Sequence, residues 1–334
     1  GALNTAMGSA ALDANTTGAN NTAVGQNSLG ANTTADDNTA VGKDALLLNT
    51  TGASNTAIGR GSLTFNQTAA NNTAVGYLSL NANTTGTGNT AIGTEALDAN
   101  TTANSNTAVG TSSLTANTTG SANTAMGHAA LGAVTTGVDN SALGKGAGAV
   151  LTTGNYNVYL GRDTLASATG AEHQIVAGYN LTSLGNNNFT FGKGGNFSNI
   201  SFGESTIGTG SDERLKEEIA DEKVGLSFIN ELRPVTFKWK KAKDVPNTFV
   251  NYYKKDSEER VMNGKSNHGF IAQEIKTVLD KYSDIKDGFS LWQEAPDGTQ
   301  IVAPAAIISI LTKAVQELST KLEAAEARIS ALES

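Results

Sequence analysis

The residues best suited to chemistry lie in one short segment, Ser211-Asp212-Glu213-Arg214-Leu215-Lys216. A serine hydroxyl becomes nucleophilic when a nearby base takes its proton. A lysine can be that base if desolvation lowers the pKa of its ammonium group well below about 10.4. If residues 212–216 begin a helix, Lys216 lies about one turn from Ser211. Taken alone, the hexapeptide is better explained as a helix N-cap at Ser211, with acidic residues in the first turn.

Other kinds of chemical site find little support in the sequence. The chain has no cysteine, which excludes disulfides and thiolate metal ligands. His128 and His173 are isolated, and the calcium-binding nonapeptide of parallel β-rolls is absent. Asn-x-Thr triplets such as Asn15-Thr16-Thr17 fit backbone corners better than glycan sites. We therefore predict no metal site and no cofactor.

The composition changes near Gly208-Thr209-Gly210. Residues 1–210 hold 10 acids and 5 bases, and they are rich in Asn, Thr, Gly and Ala. All four prolines and both tryptophans come later. Neither half is basic, so the sequence does not favour a nucleic-acid partner. No apolar run approaches membrane-spanning length. Because the chain begins within a repeat and without Met, we expect it to be the C-terminal part of something longer.

The first half is a repeat of 17 residues. The motif Asn-Thr-Ala-Val-Gly, or a variant, starts ten times between Asn4 and Asn157 at intervals of 17, and a weaker copy starts at Gln174. Counting Asn as repeat position 1, position 4 is a large apolar residue that we expect to be buried. Position 5 is always Gly, and Leu follows four residues later in most copies.

This pattern predicts a stacked β-solenoid with one turn per repeat. Frequent Gly and Asn and the lack of 3–4 apolar spacing disfavour a helix. Disorder is the rival for polar low-complexity sequence, but it gives no reason for a fixed period. Gly would supply corners with positive φ, and Asn would form ladders or left-handed corners. Two large apolar side chains per turn make a thin core, so we predict three chains packed side by side.

The repeat resembles the left-handed parallel β-roll heads of trimeric autotransporter adhesins, whose repeats carry a similar Asn-x-x-aliphatic-Gly core. The resemblance covers residues 1 to about 180. Those heads usually have a shorter repeat, and this sequence lacks their C-terminal membrane-anchor pattern. We place the solenoid at 1–185 and a β neck, rich in phenylalanine, at 186–210.

Residues 211–334 resemble the intramolecular chaperone domains of phage endosialidase tailspikes and tail fibres, assigned to peptidase family S74. The resemblance rests on SDERLK at 211–216, on INELRPVTFKWK at 229–240, on GFIAQEI at 269–275, and on a C-terminal heptad helix. It implies autocleavage of the Ser211–Asp212 bond, with Ser211 as nucleophile and Lys216 as base. A serine that attacks its own carbonyl would close a strained four-membered ring. Attack on a neighbouring subunit's bond and a water activated by the dyad both remain open.

The rest of this part predicts an α+β domain. Val235–Trp239 alternates like a strand, and Gln273 and Glu274 fit a helix with Phe270 and Ile271 as packing anchors. Glu217 and Glu218 fit an exposed helical face better than a helper role in catalysis. The polar stretch 241–265 predicts an extended arm or loop.

The terminal helix, predicted at 305–334, carries a heptad repeat over four units. Its a and d positions are Ile308, Leu311, Val315, Leu318, Leu322, Ala325, Ile329 and Leu332. The g positions Lys321 and Arg328 are opposite in charge to the following e positions Glu326 and Glu333, as a parallel coiled coil prefers. The alternative is an amphipathic helix that packs on its own domain.

These observations predict a homotrimeric virion fibre or tailspike precursor with a self-cleaving chaperone, whose mature part recognises a host-surface glycan or receptor, or is structural. The alternative is a bacterial surface adhesin with the same chaperone, located on the extracellular surface. A glycan-cleaving fibre finds no repeated carboxylate pair or Ser/His/Asp set in 1–210. A membrane-bound transcription factor that shares the cleavage domain would need a membrane span and a DNA-binding domain, and neither is visible.

Overall fold

The structure is a computed structural model that describes residues 1–203, 208–209, 217–247, 253–262, 264–282, 285, 291–294 and 298–333. The chain divides into two compact units, Gly1–Leu215 and Lys216–Ser334.

The first unit is a β-solenoid of about eleven turns, as the repeat predicts. Each turn contributes one short strand to a single parallel ladder, and Thr5 pairs with Thr22, which pairs with Thr39. The ladder strands are β1 (Thr5–Met7), β2 (Thr22–Val24), β3 (Thr39–Val41), β4 (Thr56–Ile58), β5 (Thr73–Val75), β6 (Thr90–Ile92), β7 (Thr107–Val109), β8 (Thr124–Met126), β9 (Ser141–Leu143), β10 (Val158–Leu160) and β12 (Gln174–Tyr179).

The same sheet continues past the last turn. Strand β14 (Asn188–Lys193) pairs with β12 in parallel, and β15 (Asn196–Ser201) turns back on β14 antiparallel. A short strand β16 (Gly208–Thr209) then pairs with β15. Beside this sheet, β11 (Thr164–Leu165) and β13 (Leu181–Thr182) form a separate parallel pair. The Phe-rich segment after Asn186 is therefore a hairpin added to the solenoid's own ladder.

The interior of each turn holds small residues and one leucine. The Ala at position 3 and the Leu at position 9 are fully buried in the central turns, as Ala74 and Leu80 illustrate. These leucines have positive φ, near 50°. A left-handed backbone costs a non-glycine residue about 1–2 kcal/mol, whereas burying a leucine side chain contributes about 1.5–3 kcal/mol. The interior contact therefore offsets the strain of the corner.

The prediction that position 4 is buried is wrong. Successive strand residues point to opposite faces, so burying the Ala at position 3 turns position 4 outward. Ile92 is 41% exposed and Leu143 is 53% exposed. We call this row the aliphatic column: Met7, Val24, Val41, Ile58, Val75, Ile92, Val109, Met126, Leu143 and Leu160. A continuous apolar row thus runs along the outside of the solenoid.

Two rows of buried asparagines join the turns. At position 1, Asn21 Nδ2 donates to Ala35 O at 2.8 Å, and Asn21 Oδ1 accepts the backbone N–H of Asn38 at 3.0 Å. At position 12, Asn83 Nδ2 donates to Asn66 Oδ1 at 3.0 Å and to Gly86 O at 2.9 Å. Position 12 is also the Asn of the Asn-Thr-Thr triplets. Its amide is engaged inside the solenoid, which agrees with the corner interpretation rather than a glycan site.

The second unit is a small α+β region. Its helices are α1 (Leu226–Glu231), α2 (Ala272–Leu279) and α3 (Ile308–Glu333), and a 3-10 turn at Pro304–Ile307 precedes α3. Its strands form two antiparallel pairs, β17 (Val235–Phe237) with β18 (Asn267–Gly269) and β19 (Trp292–Glu294) with β20 (Gln300–Val302). The predicted terminal helix is present and begins at Ile308. The core contains Val224, Phe228, Ile275, Val278, Leu279, Leu291 and Ile310.

The steric requirement for glycine at position 5 can be tested by substitution. A Cβ on Gly76 would lie 2.4 Å from Gly93 O, and Gly76 has a φ of +139°. We expect Gly76→Ala to lower the midpoint of thermal unfolding strongly, because the backbone of the next turn occupies the side chain's place. The matched control is Gly88→Ala. Its nearest atom is 3.9 Å away and Ala122 occupies the same repeat position, so its cost should stay near 1 kcal/mol. Equal shifts for the two variants would contradict this account.

The asparagine row at position 12 gives a second test. The row ends at Asn117, whose Oδ1 is buried without a hydrogen-bond partner because Val134 follows it in the next turn. Asn83→Val should destabilise the solenoid by about 1–3 kcal/mol, since it leaves Asn66 Oδ1 without its donor. Asn117→Val only moves the unpartnered oxygen to Asn100, so it should be nearly neutral. Chemical denaturation monitored by circular dichroism compares the two, and a larger loss for Asn117→Val would refute the ladder explanation.

Candidate functional site

The predicted catalytic residues Ser211 and Lys216, and the predicted scissile partner Asp212, lie outside the described residues. The described chain resumes at Glu217, so the contacts available are those of the framework that follows the hexapeptide. In that framework, helix α1 near the start of the second unit packs against helix α3 at its C-terminal end, and both contribute to one core.

The segment 217–225 is not helical. Glu217 and Glu218 are exposed, and Glu218 has a φ of 53°. The two residues are exposed as predicted, but the helix predicted for them is not present. A left-handed residue at Glu218 interrupts any helical path there, and regular helix first appears at Leu226.

Helix α1 is held by the terminal helix α3. The backbone N–H of Leu226 donates to Glu317 Oε2 at 3.0 Å, which satisfies one of the free N–H groups at the start of α1. Phe228 and Ile310 are both fully buried in the same core, and Tyr282 packs edge-on against Phe228 with ring centroids 5.1 Å apart. The first helix after the hexapeptide thus depends on α3 for its position.

The GFIAQE segment runs from the end of a strand into a helix, and only the helix was predicted. Gly269 ends β18 opposite Val235 of β17, and α2 begins at Ala272. Phe270 packs on the core, but Ile271 is exposed, so only the first of the two predicted anchors is one. Core packing by α2 comes instead from its later apolar residues, Ile275, Val278 and Leu279.

Two surface ion pairs fasten α1 and its C-terminal flank to α2. Arg233 Nε donates to Glu274 Oε2 at 2.9 Å, and hydrogen bonding from Arg233 holds the pKa of the Glu274 carboxyl below its usual value. Lys281 Nζ donates to Glu231 Oε2 at 2.6 Å, and this bond together with that from Tyr282 lowers the pKa of Glu231. All these groups are exposed, so each pair contributes little stability. The two pairs link the C-terminal end of α1 and the residue after Leu232 to α2 and its C-terminal flank.

A small hollow lies beside the first of these ion pairs. It opens to solvent, leaves about 20 Å³ of free space, and is lined by residues that include Leu232, Arg233, Phe270 and Glu274. That space holds about one water molecule, so the hollow is too small for a substrate. Its lining is the packing seam between α1 and α2.

The described residues of 241–265, which exclude 248–252 and 263, form a loop, one of the two predicted forms, and not an extended arm. The backbones of Lys241 and Arg260 form an isolated antiparallel β-bridge, and the N–H of Ala242 donates to Glu259 O at 2.7 Å. Glu258 accepts hydrogen bonds from Lys241 and Lys243, which lower the pKa of its carboxyl to about 2. Lysines near the start of the segment therefore pair with a glutamate near its end, and the described residues fold back on one another.

The described residues contain neither a metal-binding cluster nor a membrane-spanning helix. No group of three or more His, Cys, Asp or Glu side chains there could hold a metal ion. No helix in that part of the chain is long and apolar enough to cross a membrane.

Comparison with known proteins bears on the segment that includes Ser211 and Lys216. Residues 211–283 match the family model of peptidase S74, described as the chaperone of endosialidase. No curated protein and no solved structure matches the chain. The match begins at Ser211 and includes α1, β17, β18 and α2. The chain therefore carries a domain of the endosialidase-chaperone family after a β-solenoid of 17-residue repeats.

Proposed function

We propose that this chain is the precursor of a homotrimeric fibre, and that its C-terminal domain directs trimerisation and then separates by cutting the Ser211–Asp212 bond. The mature part, which contains the solenoid, recognises a host-cell surface or forms part of a phage tail. The observation that carries this proposal is a pair of apolar surfaces, one in each unit, that a single chain leaves without a partner. The family match supports the chaperone and peptidase roles.

The aliphatic column is the first of these surfaces. A large aliphatic residue recurs on the outer face of ten successive turns, although the inner face is complete without it. An exposed apolar row of this length marks an interaction site. Copies of the same solenoid offer a partner with the same turn spacing, so that apolar side chains can meet at every turn. Three copies around one axis would bury the three columns together.

The a and d face of α3 is the second surface. If α3 were an amphipathic helix that packs on its own domain, these positions would be buried. Instead Leu318 and Leu322 are 55% and 59% exposed, while the helix packs inward through Ile310 and Ala314. One helix thus carries two apolar faces, one used within the chain and one free for a coiled coil. The resemblance to trimeric chaperones favours a coiled coil of three helices, one from each chain.

This arrangement would solve a folding problem of the solenoid. Every turn pairs with the next at a separation of 17 residues, and three chains must start in the same register. A coiled coil at the C-terminus would bring the three chains together at matching heights before the turns stack. Cutting the chain afterwards removes the element that brought the chains together, so the assembled fibre persists because its unfolding is slow.

The proposed cleavage uses Ser211 and Lys216 as the family resemblance implies. Neutral Lys216 would accept the proton of the nucleophile as the nucleophile bonds to the Ser211 carbonyl carbon, and would then donate it to the Asp212 nitrogen as the Ser211–Asp212 bond breaks. If a serine is the nucleophile, water would hydrolyse the resulting ester and leave a carboxylate on Ser211. Attack by Ser211 Oγ on its own carbonyl would form a four-membered ring. The nucleophile is therefore either a neighbouring subunit's serine or a water activated by the dyad.

Cleavage should depend on a lysine that can lose its proton. Ser211→Ala and Lys216→Ala should yield only full-length chain. Lys216→Arg should do the same, because a guanidinium group does not deprotonate at usable pH. Cleavage by the wild-type chain should slow as the pH falls, since the base becomes protonated. Intact-mass spectrometry after refolding measures each outcome.

The N-cap interpretation of Ser211 makes a different forecast. It expects that neither lysine variant changes processing and that Ser211 substitutions cost only about 1 kcal/mol of helix stability. Wild-type cleavage in Lys216→Arg would remove Lys216 as the base. An uncut wild-type chain under folding conditions would remove the peptidase proposal.

Trimerisation should fail when the free face of α3 is charged. We expect Leu318→Asp combined with Leu322→Asp to prevent assembly of the full chain, because six carboxylates would meet in the coiled-coil core. Thr320→Asp is the matched control, since Thr320 lies on the same helix away from the a and d positions. Multi-angle light scattering gives the mass of each. A wild-type solenoid that stays a stable folded monomer would contradict the trimer.

A further inference from the structure

The cations of the solenoid all lie in one row. Residues 1–210 contain five basic residues, and four of them, Lys43, Arg60, Lys145 and Arg162, occupy repeat position 6. The fifth, Lys193, pairs in register with Tyr179, which is itself at position 6 of the last turn. We call this row the cationic column. Five cations in one of seventeen positions, in a part of the chain with a net charge of −5, form a concentrated surface.

The cationic column contains the same triad twice. Lys43, Arg60 and Tyr77 follow one another on three successive turns, and Lys145, Arg162 and Tyr179 repeat the order six turns later. The guanidinium carbon of Arg60 lies 5.9 Å from the centre of the Tyr77 ring, and that of Arg162 lies 5.5 Å from the Tyr179 ring. At about 4.8 Å per turn, the two triads are about 29 Å apart.

The cations within a triad lie directly above one another. The N–H of Gly61 donates to Lys43 O at 3.0 Å, and the N–H of Asp163 donates to Lys145 O at 2.9 Å. Like charges on opposed neighbouring positions destabilise a sheet unless a counter-charge is present. Within the described part of the chain, Arg162 pairs with Asp163 at 2.9 Å, and no ion pair joins Lys43, Arg60 or Lys145 to a carboxylate. The described carboxylates therefore neutralise only part of the positive charge of the cationic column.

Acidic groups near the column are engaged elsewhere or balance only part of the charge. Asp44, which follows Lys43, accepts a hydrogen bond from Asn27 Nδ2 at 2.9 Å. Asp163 neutralises one cation of its triad. Each triad keeps a net positive charge beside an aromatic ring that is 43% exposed.

The column lies in the turn that follows the aliphatic column. Each strand ends at position 4, and the glycine at position 5 then bends the backbone with a positive φ, +133° at Gly42. Position 6 begins the next segment. Packing the strands of three chains through the aliphatic column would therefore use position 4 and leave the position 6 side chains at the outer margin.

We propose that the two triads bind an acidic polysaccharide, with its carboxylates on the Lys and Arg side chains and a sugar face against the Tyr ring. Stacking on tyrosine fixes the plane of the guanidinium group and leaves N–H donors for a carboxylate. Tyrosine offers a flat amphipathic surface that suits a sugar ring better than a phosphate backbone. This inference rests on the proposed host-recognition function and gives it a site and a ligand class.

The test measures binding of polygalacturonic acid, a polymer of uronic acids, to the assembled wild-type protein, with neutral dextran as the control ligand. The doubly substituted Arg60→Gln, Arg162→Gln protein should bind at least about tenfold more weakly. The matched control, Thr94→Gln with Thr111→Gln, changes the same repeat position without removing charge and should bind normally. Galacturonate oligomers too short to span about 29 Å should bind more weakly than the polymer, because they engage one triad at a time.

Light scattering and the thermal midpoint are recorded on the same samples, which separates this inference from the trimer proposal. Absence of polygalacturonate binding by the wild-type trimer would overturn the inference and leave the trimer intact. Equal binding of polyglutamate would show that any polyanion suffices and would overturn the sugar assignment. Loss of assembly in the Arg variants would assign the cations to contacts between subunits. If those variants misfold, Lys43→Gln with Lys145→Gln tests the same two sites and must weaken binding.

Discussion

The geometry of the solenoid depends on the close approach between the glycines at repeat position 5 of successive turns. A Cβ on Gly25 would lie 2.6 Å from the carbonyl carbon of Gly42, and the same holds turn after turn. Only glycine allows the backbones to approach this closely with a positive φ. The turns can therefore stack in one register only, since a shift by any number of residues would bring side chains against this backbone. The asparagine rows add the same constraint through buried amides, which have partners in the 17-residue register alone.

The remaining geometry of each turn follows from this close stacking. A turn of 17 residues encloses a narrow interior, which the Ala at position 3 and the Leu at position 9 fill. In the turns that pair Ala at position 3 with Leu at position 9, the larger aliphatic residue of the strand lies on the outer face. A large residue does lie on the inner face at Tyr159, beside Gly148, which replaces the leucine. The aliphatic column is thus the outer face of the same strands, and in the proposed trimer it supplies the contacts between chains.

The solenoid, its period and its glycine corners were predictable from the sequence because they depend on regular spacing. The face of position 4 was predicted wrongly, because alternation in a three-residue strand does not show which face is buried, and size alone favoured burying the larger residue. The left-handed leucines such as Leu80 were not predicted, since leucine usually avoids positive φ and only tertiary burial compensates for it.

In the second unit, α2 and β17 were predictable from local pattern. The folding back of 240–261 was not, because it depends on which charges meet, as Glu258 does with Lys241 and Lys243. The roles of Ser211 and Lys216 came from family resemblance, since the hexapeptide alone also fits a helix N-cap.

The repeat also separates the positions that the proposed assembly would require from those that the proposed recognition could vary. Position 4 is aliphatic in ten consecutive turns, whereas position 6 reads Gln26, Lys43, Arg60, Tyr77 and Thr94 in five of them. Position 6 follows the same glycine in every turn and has the same backbone, so the fold does not dictate its side chain. A surface whose residue type is fixed by neither packing nor backbone conformation is free to carry ligand contacts. Charge and aromatic character appear together there, twice in the same order, in a region that otherwise uses small polar residues. Since the backbone repeats without change, this selective use of one position points to a ligand rather than to the stability of the turn.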